Sequence, residues 1–593
     1  MTASPSRRKS RLLLAAKVLL GVFLGASFFI GYRLCETGPG FGEDGLTLLT
    51  FTCGDSKCDI AFGESPDTCR RDCAESHPRI AGFYSDITRC PQNAEIHLAD
   101  NVESVQRAVR ALVRQGKRVK ARGQGHSTAM GFCSDGGVVV LEKLSGLSEL
   151  ERWRGLDTVV IEPGVTFAQL GEHLHERNRS FGPYATGWGG IAVVGAMATG
   201  SHGSDTKFSS TISEQLVEVE LVNQRGDIVR HNRFDAPADT WRALTAHDGA
   251  LGIVVRARIE VFPDRKLRLE FKEHGLDEFK TEAGIADVFA QCDYAFLNLM
   301  LKSNRAHVAC GAITDDPVTD ERLTNYLFTP PVHDIELSLV RTAIQWTTVS
   351  TWFEGVLERQ ILDGYQHSVG IEPTTANGKV TSIGNRGIGW NHRIVNLPRF
   401  PYSVPYFSQI DYEVSVRVKD MPEVVRLVDE IFDRNQRTLP YTGIIVRFDH
   451  ATDNTLIAGN SVRPGVEKGE ALAHIELPTF VPFGYRDEAR EAYFKPSDDA
   501  VRLILDRFPT ARLHLGKNRP SVFARFAELD RDGERRARFQ AVVSEMDPYG
   551  VFANEHLRQM GLRWPNEGQN FASHYFPEAP DDTQTGNAAP RGN

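Results

Sequence analysis

The stretch ARGQGHSTAMGFCSDGG, Ala121–Gly137, decides the reading of this chain. It sets glycines, small hydroxyls and one histidine between two expected strands, Arg118–Ala121 on the way in and Val138–Leu141 on the way out. Gly123 and Gly125 permit positive φ and close backbone approach, so successive N–H groups can converge on anionic oxygens without side chains intervening. The pattern reads as a pyrophosphate cradle with His126 and Ser127 at its lip. Upstream, Val102, Val105, Ala108, Val109 and Leu112 recur at helical spacing behind the N-cap candidates Asp100 and Asn101. Downstream lies a second glycine-rich run, YATGWGGIAVVGAMATGSHGSD, Tyr184–Asp205, and two such loops suit a ligand with two phosphates.

With these motifs the chain resembles the vanillyl-alcohol-oxidase (PCMH-type) superfamily of FAD-binding flavoproteins, and within it the sugar-1,4-lactone and alditol oxidases. The first loop matches the family's R-x-G-x-G-H-S at Arg122, Gly123, Gly125, His126 and Ser127, with Gln124 inside it. The second matches its glycine run at Gly190, Gly195, Thr199, Gly200, His202 and Gly203. DGALGIV, Asp248–Val254, resembles a strand-leading segment beside the flavin domain and brings in Ile253. HLGKN, His514–Asn518, resembles H-W-G-K, and DPYGVFAN, Asp547–Asn554, resembles the closing D-P-x-x-x-F. The resemblance runs over residues 80 to 570 and implies FAD held by these residues, His514 included.

The resemblance also implies a covalent bond from His126 to the flavin's 8α carbon. That chemistry needs a neutral imidazole nitrogen as nucleophile. The plainer reading has His126 hydrogen-bonding a loop carbonyl. Hydride removal from a carbon bearing oxygen needs a cation near the flavin N1–C2 carbonyl and a partner for the hydroxyl. GIIVRF, Gly443–Phe448, resembles the family's E-V-R-F strand, which makes Arg447, with Lys517 of HLGKN, the catalytic candidate pair. Each is otherwise a surface cation. Two departures stand out: Ile445 replaces the strand's glutamate, and Leu515 replaces the tryptophan of H-W-G-K. An aliphatic side chain leaves a buried substrate hydroxyl unpaired, which points to a less polar alcohol, such as a sterol. His474 and Glu476, in AHIELP, are candidates to restore the lost contact, or are strand-face residues.

At 593 residues and 41% hydrophobic, the chain has length for two to four domains. Its net charge of −9 opposes nucleic-acid binding, and no Rossmann G-x-G-x-x-G follows a first strand. SRRKSR, Ser6–Arg11, precedes an apolar run from Leu12 to Tyr32 broken by Lys17, long enough to span a bilayer with the body outside. A cleaved signal peptide, which would leave the body secreted, or a twin-arginine signal, are the rivals. Cys53, Cys58, Cys69 and Cys73 fall in a short polar segment that burial alone cannot fold. Disulfides fit better than zinc there, the pairing is open, and no metal site is expected. Cys133 reads as a small packed residue.

The expected fold class is α+β: a two-subdomain FAD-binding PCMH-type domain at residues 78–265 and an antiparallel-sheet substrate, or cap, domain at 266–508. A C-terminal segment, 509–577, returns to the flavin, and a disordered tail covers 578–593. Residues 1–11 are a cytoplasmic basic segment, 12–32 the anchor or signal, and 33–77 the Cys-rich module. The expected activity is FAD-linked oxidation of a CH–OH group in an alcohol, lactone or polyol, with O2 reoxidising the flavin. The alternatives are a membrane-anchored dehydrogenase feeding a quinone or cytochrome, and a non-catalytic surface binding protein.

Overall fold

The computed structural model describes residues 81–577 except 83–84, 91–93, 185–186, 326–357, 360, 373, 375–379, 397–407, 435–442, 482–486 and 532. The basic segment, the apolar run, the Cys53–Cys73 module and the tail lie outside the described residues. Among the described residues, no helix is long and apolar enough to cross a membrane.

The phosphate loop is carried by a three-stranded parallel sheet of β1 (Glu95–Leu98), β2 (Val119–Arg122) and β3 (Gly137–Val140), in the order β1-β3-β2. Helix α1 (Val102–Arg114) joins β1 to β2. It starts where Asn101 caps the Ser104 amide and Ser104 returns the bond, and it buries the apolar stripe Val102, Val105, Ala108, Val109 and Leu112. Residues 123–136 leave the carboxyl end of β2, the end at which parallel sheets present their ligand crevices. Cys133, expected as a packed residue, is instead bonded to Cys90, a partner 43 positions away that local spacing could not reveal.

A five-stranded antiparallel sheet follows: β4 (Glu151–Trp153), β5 (Leu156–Ile161), β6 (Leu216–Val222), β7 (Ile228–Asn232) and β8 (Ile253–Glu260), ordered β7-β6-β8-β5-β4. Helices α2 (Phe167–His175) and α3 (Val193–Ala198) lie between β5 and β6. The cap begins at Lys266 and is an eight-stranded sheet. Its strands are β9 (Lys266–Gly275), β10 (Tyr294–Met300), β11 (Arg305–Thr314), β12 (Arg386–Trp390), β13 (Ser408–Arg417), β14 (Ile444–His450), β15 (Ala471–Val481) and β16 (Arg512–Leu513). Their order is β12-β9-β11-β10-β14-β15-β13-β16, antiparallel throughout. A second disulfide, Cys292–Cys310, ties the lead into β10 to β11.

The C-terminal segment therefore starts as an edge strand of the cap sheet and then crosses back. Asp547 accepts the amides of Val551 and Phe552, both at 2.9 Å, and Asn554 Nδ2 donates to the carbonyls of Met130, Gly131 and Cys133 at 3.2, 3.0 and 2.9 Å. The closing DPYGVFAN motif thus fastens the far side of the phosphate loop.

Candidate active site

The first loop is built from beneath by Arg122. This buried side chain ion-pairs with Glu142, and a Cβ at Gly125 would lie 2.6 Å from its guanidinium, so the position tolerates only glycine, at φ +72°. Arg122 supports the loop rather than facing outward from it. Among the described residues, the amides of Gln124, Gly125 and Ser127 make no hydrogen bond, leaving convergent donors of the kind an anion satisfies. Gly123 approaches Ala192 closely enough that a Cβ would sit 3.3 Å from the alanine methyl, which brings the second run against the first.

His126 sits between the two runs. Its Nε2 is 3.2 Å from the Gly190 carbonyl, and its ring meets Trp188 edge-on at 4.1 Å. Burial, helped by the Arg122 charge, pulls its pKa down to about 3, so the imidazole is neutral at physiological pH. In the second run Thr199 Oγ1 donates to Gly195 O at 3.1 Å, and the Gly203 amide donates to Ser210 O at 2.9 Å. Gly200, at φ +63°, has Ala458 so near that a Cβ would come within 2.6 Å of its methyl. Ile253 is a core residue packed with the strand residues Val222 and Val255.

The motifs meet at Gly516. Its carbonyl accepts from Ser127 Oγ at 2.7 Å and from the amides of Thr128 and Ala129 at 2.9 and 3.1 Å. A Cβ on Gly516 would lie 3.2 Å from Thr199 and 3.3 Å from both His514 and Ser127. The GHS loop, the T-G-S-H run and HLGKN therefore converge on one backbone position. His514 Nδ1 accepts the Gly516 amide at 3.0 Å, and burial holds its pKa well below the ordinary value.

Beside this junction one face of the cap sheet presents charge. Across β10, β14, β15 and β13 the register aligns Phe296, Arg447, His474 and Ser415, and in the next row Asn298, Ile445, Glu476 and Glu413. Residues opposite one another, and residues two apart along a strand, share a face. Arg447 Nη2 reaches Glu413 at 3.0 Å and Glu476 at 3.3 Å, while its Nη1 donates to the His202 carbonyl at 3.2 Å. Lys517 Nζ lies 2.9 Å from the same Glu413 oxygen and 2.7 Å from Glu476. His202 Nε2 sits 2.8 Å from the other Glu413 oxygen, so this residue of the second glycine run faces the cap. His474 stacks on His202 at 3.5 Å, with its own nitrogens 3.7 Å from Glu413 and 3.6 Å from Asp449.

Burial opposes the charges of Lys517, Arg447 and Glu413, yet the pairing prevails. Glu413 and Glu476 hold Lys517 and Arg447 above their ordinary pKa values, and Lys517 and His202 hold the fully buried Glu413 well below its own. Lys517 is thus a fixed cation that donates hydrogen bonds and cannot act as a base at neutral pH. Two such cations, largely buried and close to the loops, are suited to stabilising developing negative charge.

Two contributors were not singled out in the sequence. Glu413 is the hub of the cluster. Asn518, at φ +78°, clamps it by accepting the Glu413 amide and donating to its carbonyl, each at 3.0 Å. A signal existed for Glu413. In IDYEVSVR the apolar residues alternate with Asp411, Glu413 and Ser415, a pattern that ordinarily marks one solvated sheet face. Here that face is buried as well.

A family model described as an FAD binding domain matches residues 94–232, and one described as D-arabinono-1,4-lactone oxidase matches residues 400–560. The chain resembles the FAD-linked sugar-lactone oxidases. A D-arabinono-1,4-lactone oxidase of Kluyveromyces lactis is 29% identical to this chain over 174 residues, 28% of this chain and 32% of that protein. An L-gulono-1,4-lactone dehydrogenase of Mycobacterium tuberculosis is 27% identical over 176 residues, 28% of this chain and 39% of that one. The chain thus spans about a third of the length of these relatives. A solved cholesterol oxidase from B. sterolicum, 13% identical, superposes with a TM-score of 0.65 over 81% of this chain and 96% of that one, a likeness of fold alone. The architecture of the chain is accordingly a mixed α/β FAD-binding fold of the PCMH type with antiparallel sheets.

Proposed function

We propose that the protein is an FAD-dependent oxidoreductase that takes hydride from a CH–OH group of a polyhydroxylated lactone or alditol, with its flavin joined covalently to His126. The observation that carries this reading is the junction at Gly516, which sets the cluster of Arg447, Lys517, Glu413 and Glu476 against two glycine loops with unused amide donors. Bound FAD supplies the hydride acceptor. The amides of Gln124, Gly125 and Ser127 would hold its phosphate oxygens. With Nε2–H donating to Gly190 O, His126 keeps a lone pair on Nδ1, the form a nucleophile toward the flavin methyl requires.

Arg447 and Lys517 stabilise the substrate oxygen as its proton leaves, and Glu476, the less deeply buried of the two carboxylates that both cations hold, accepts the proton. Glu476 is the direct cross-strand partner of Ile445. It therefore offers a hydroxyl partner beside the position where the family's glutamate is missing, which favours a polyol or lactone over a less polar alcohol such as a sterol. One relative is named an oxidase and the other a dehydrogenase, so O2 and a membrane quinone or cytochrome are both acceptors to test. The Cys90–Cys133 and Cys292–Cys310 disulfides support an oxidising, extracytoplasmic setting, with residues 12–32 as anchor.

The test is acid precipitation of the purified chain followed by anaerobic titration with D-arabinono-1,4-lactone, L-gulono-1,4-lactone and a sterol. Colour retained in the precipitate and bleaching by a lactone is the expected result. Extractable colour removes the His126 bond, bleaching by the sterol alone reverses the substrate assignment, and a flavin that no alcohol reduces favours the binding-protein reading.

A further inference from the structure

Among the described residues, two groups bring three His, Asp or Glu donor atoms within 4.8 Å of one another. One, His202, Glu413 and His474, belongs to the site above. Arg447 and Lys517 already hold its carboxylate at 3.0 and 2.9 Å, so a metal ion there would meet two fixed positive charges. The other is His175, Asp264 and His392, a group with no assigned role.

These three residues lie where the flavin part of the chain meets the cap. His175 ends α2, Asp264 lies two residues before the first cap strand, and His392 lies on the short helix α4 (Asn391–Val395) that follows β12. His175 Nδ1 lies 2.7 Å from Asp264 Oδ2, and the rings of His175 and His392 are 4.8 Å apart at 34°. His392 is only 5% exposed, and its Nδ1 has no hydrogen-bond partner. A buried ring nitrogen without a partner calls for an explanation. Its approach also depends on Gly171, where a Cβ would lie 2.8 Å from the His392 Cβ.

The surrounding charges leave the group open to a cation. Glu172 shares the α2 face with His175 and accepts from His392 Nε2 at 3.3 Å, but Arg393 already neutralises it at 2.7 Å. The Arg265 guanidinium turns to Asn391 Oδ1 at 3.0 Å. Asp264 thus remains the anionic donor beside two imidazoles.

We propose that His175, Asp264 and His392 bind a divalent first-row cation of the zinc class, which clasps α2 of the flavin part to α4 of the cap. Two imidazoles and one carboxylate form an N2O donor set of the kind zinc accepts, with ligand distances of about 2.0–2.2 Å. The cation takes the place of the proton shared between His175 and Asp264. The His175 side chain, 26% exposed, gives it an entry path and leaves room for a water ligand.

The experiment strips the full-length flavoprotein with a chelator, dialyses it to equilibrium against Zn2+ alone, and counts bound metal by mass spectrometry. One Zn2+ per chain at micromolar or tighter affinity is the expected result. His175→Gln, Asp264→Asn and His392→Gln should each weaken binding by more than about tenfold, while His474→Gln keeps it. Zn2+ should raise the Tm of the wild type and not that of His392→Gln. A normal flavin spectrum in the variants shows that they fold. No stoichiometric zinc in the wild type, zinc retained in the His175→Gln/His392→Gln double variant, or zinc lost in His474→Gln would each overturn the proposal.

Discussion

The two faces of the cap sheet are written by the same strands and do opposite things. On β13 the residues Ile410, Tyr412, Val414 and Val416 face an apolar core shared with Leu477 and Ile475 of β15 and with Val424 and Val428 of the helix Met421–Arg434. Their immediate neighbours Glu413 and Ser415, with Glu476 and His474 across the ladder, face the flavin part. Both faces are buried, so burial alone does not distinguish scaffold from chemistry. The distinction is whether the buried groups are apolar, where only volume matters, or charged, where each partner's loss strands another charge.

The largest effect is expected on the charged face. Arg447→Met and Lys517→Met should each slow flavin reduction by about 10²–10³-fold in anaerobic stopped flow with FAD still bound, the scale on which removal of one stabilising donor operates. Wild-type rates in both variants would strip the cluster of its catalytic role.

Next is a contrast between neighbours. Glu476→Gln should slow reduction by about 10²-fold and shift the pH–rate profile. Leu477→Ala, one residue on and pointing to the other face, should cost about 2–5 kcal/mol in denaturant unfolding with reduction unchanged. If the two variants behaved alike, the division between faces would fail. Ile445→Glu combined with Glu476→Gln moves the carboxylate to the adjacent strand and should recover part of the lost rate, because the two positions are direct partners.

What the sequence disclosed, and what it withheld, follows the same division. The loops at Arg122–Ser127 and Gly190–Gly203 were legible because glycine spacing is a local constraint, and α1 was legible from its cap and apolar period. Arg447 and Lys517 came from motifs. The role of Glu476 was open, because whether it replaces the carboxylate absent at Ile445 depends on strand register, which a linear reading does not contain. Glu413 was hidden for a different reason: alternation predicts one polar face but not what covers it. The Cys90–Cys133 bond also spans a separation without local signature.

The smallest effect concerns acid. Burial pushes the Asp449 pKa up, but His474 and the Ser210 amide, among others, bring it to about 2, against an ordinary value of 3.8. A lowered carboxyl pKa stabilises the fold fully above the ordinary value and is lost as pH falls through the folded one. Asp449 should therefore contribute about 2 kcal/mol near neutrality that disappears between about pH 4 and pH 2. The slope of Tm against pH in that window should flatten in Asp449→Asn.

The most direct test of the central claim is the anaerobic mixing of wild type, Lys517→Met and Glu476→Gln with D-arabinono-1,4-lactone while the flavin's visible band is followed. Rapid bleaching is expected in the wild type and bleaching slowed by about 10²-fold or more in both variants, with the oxidised spectra unchanged. Bleaching at the same rate in all three proteins would contradict that claim.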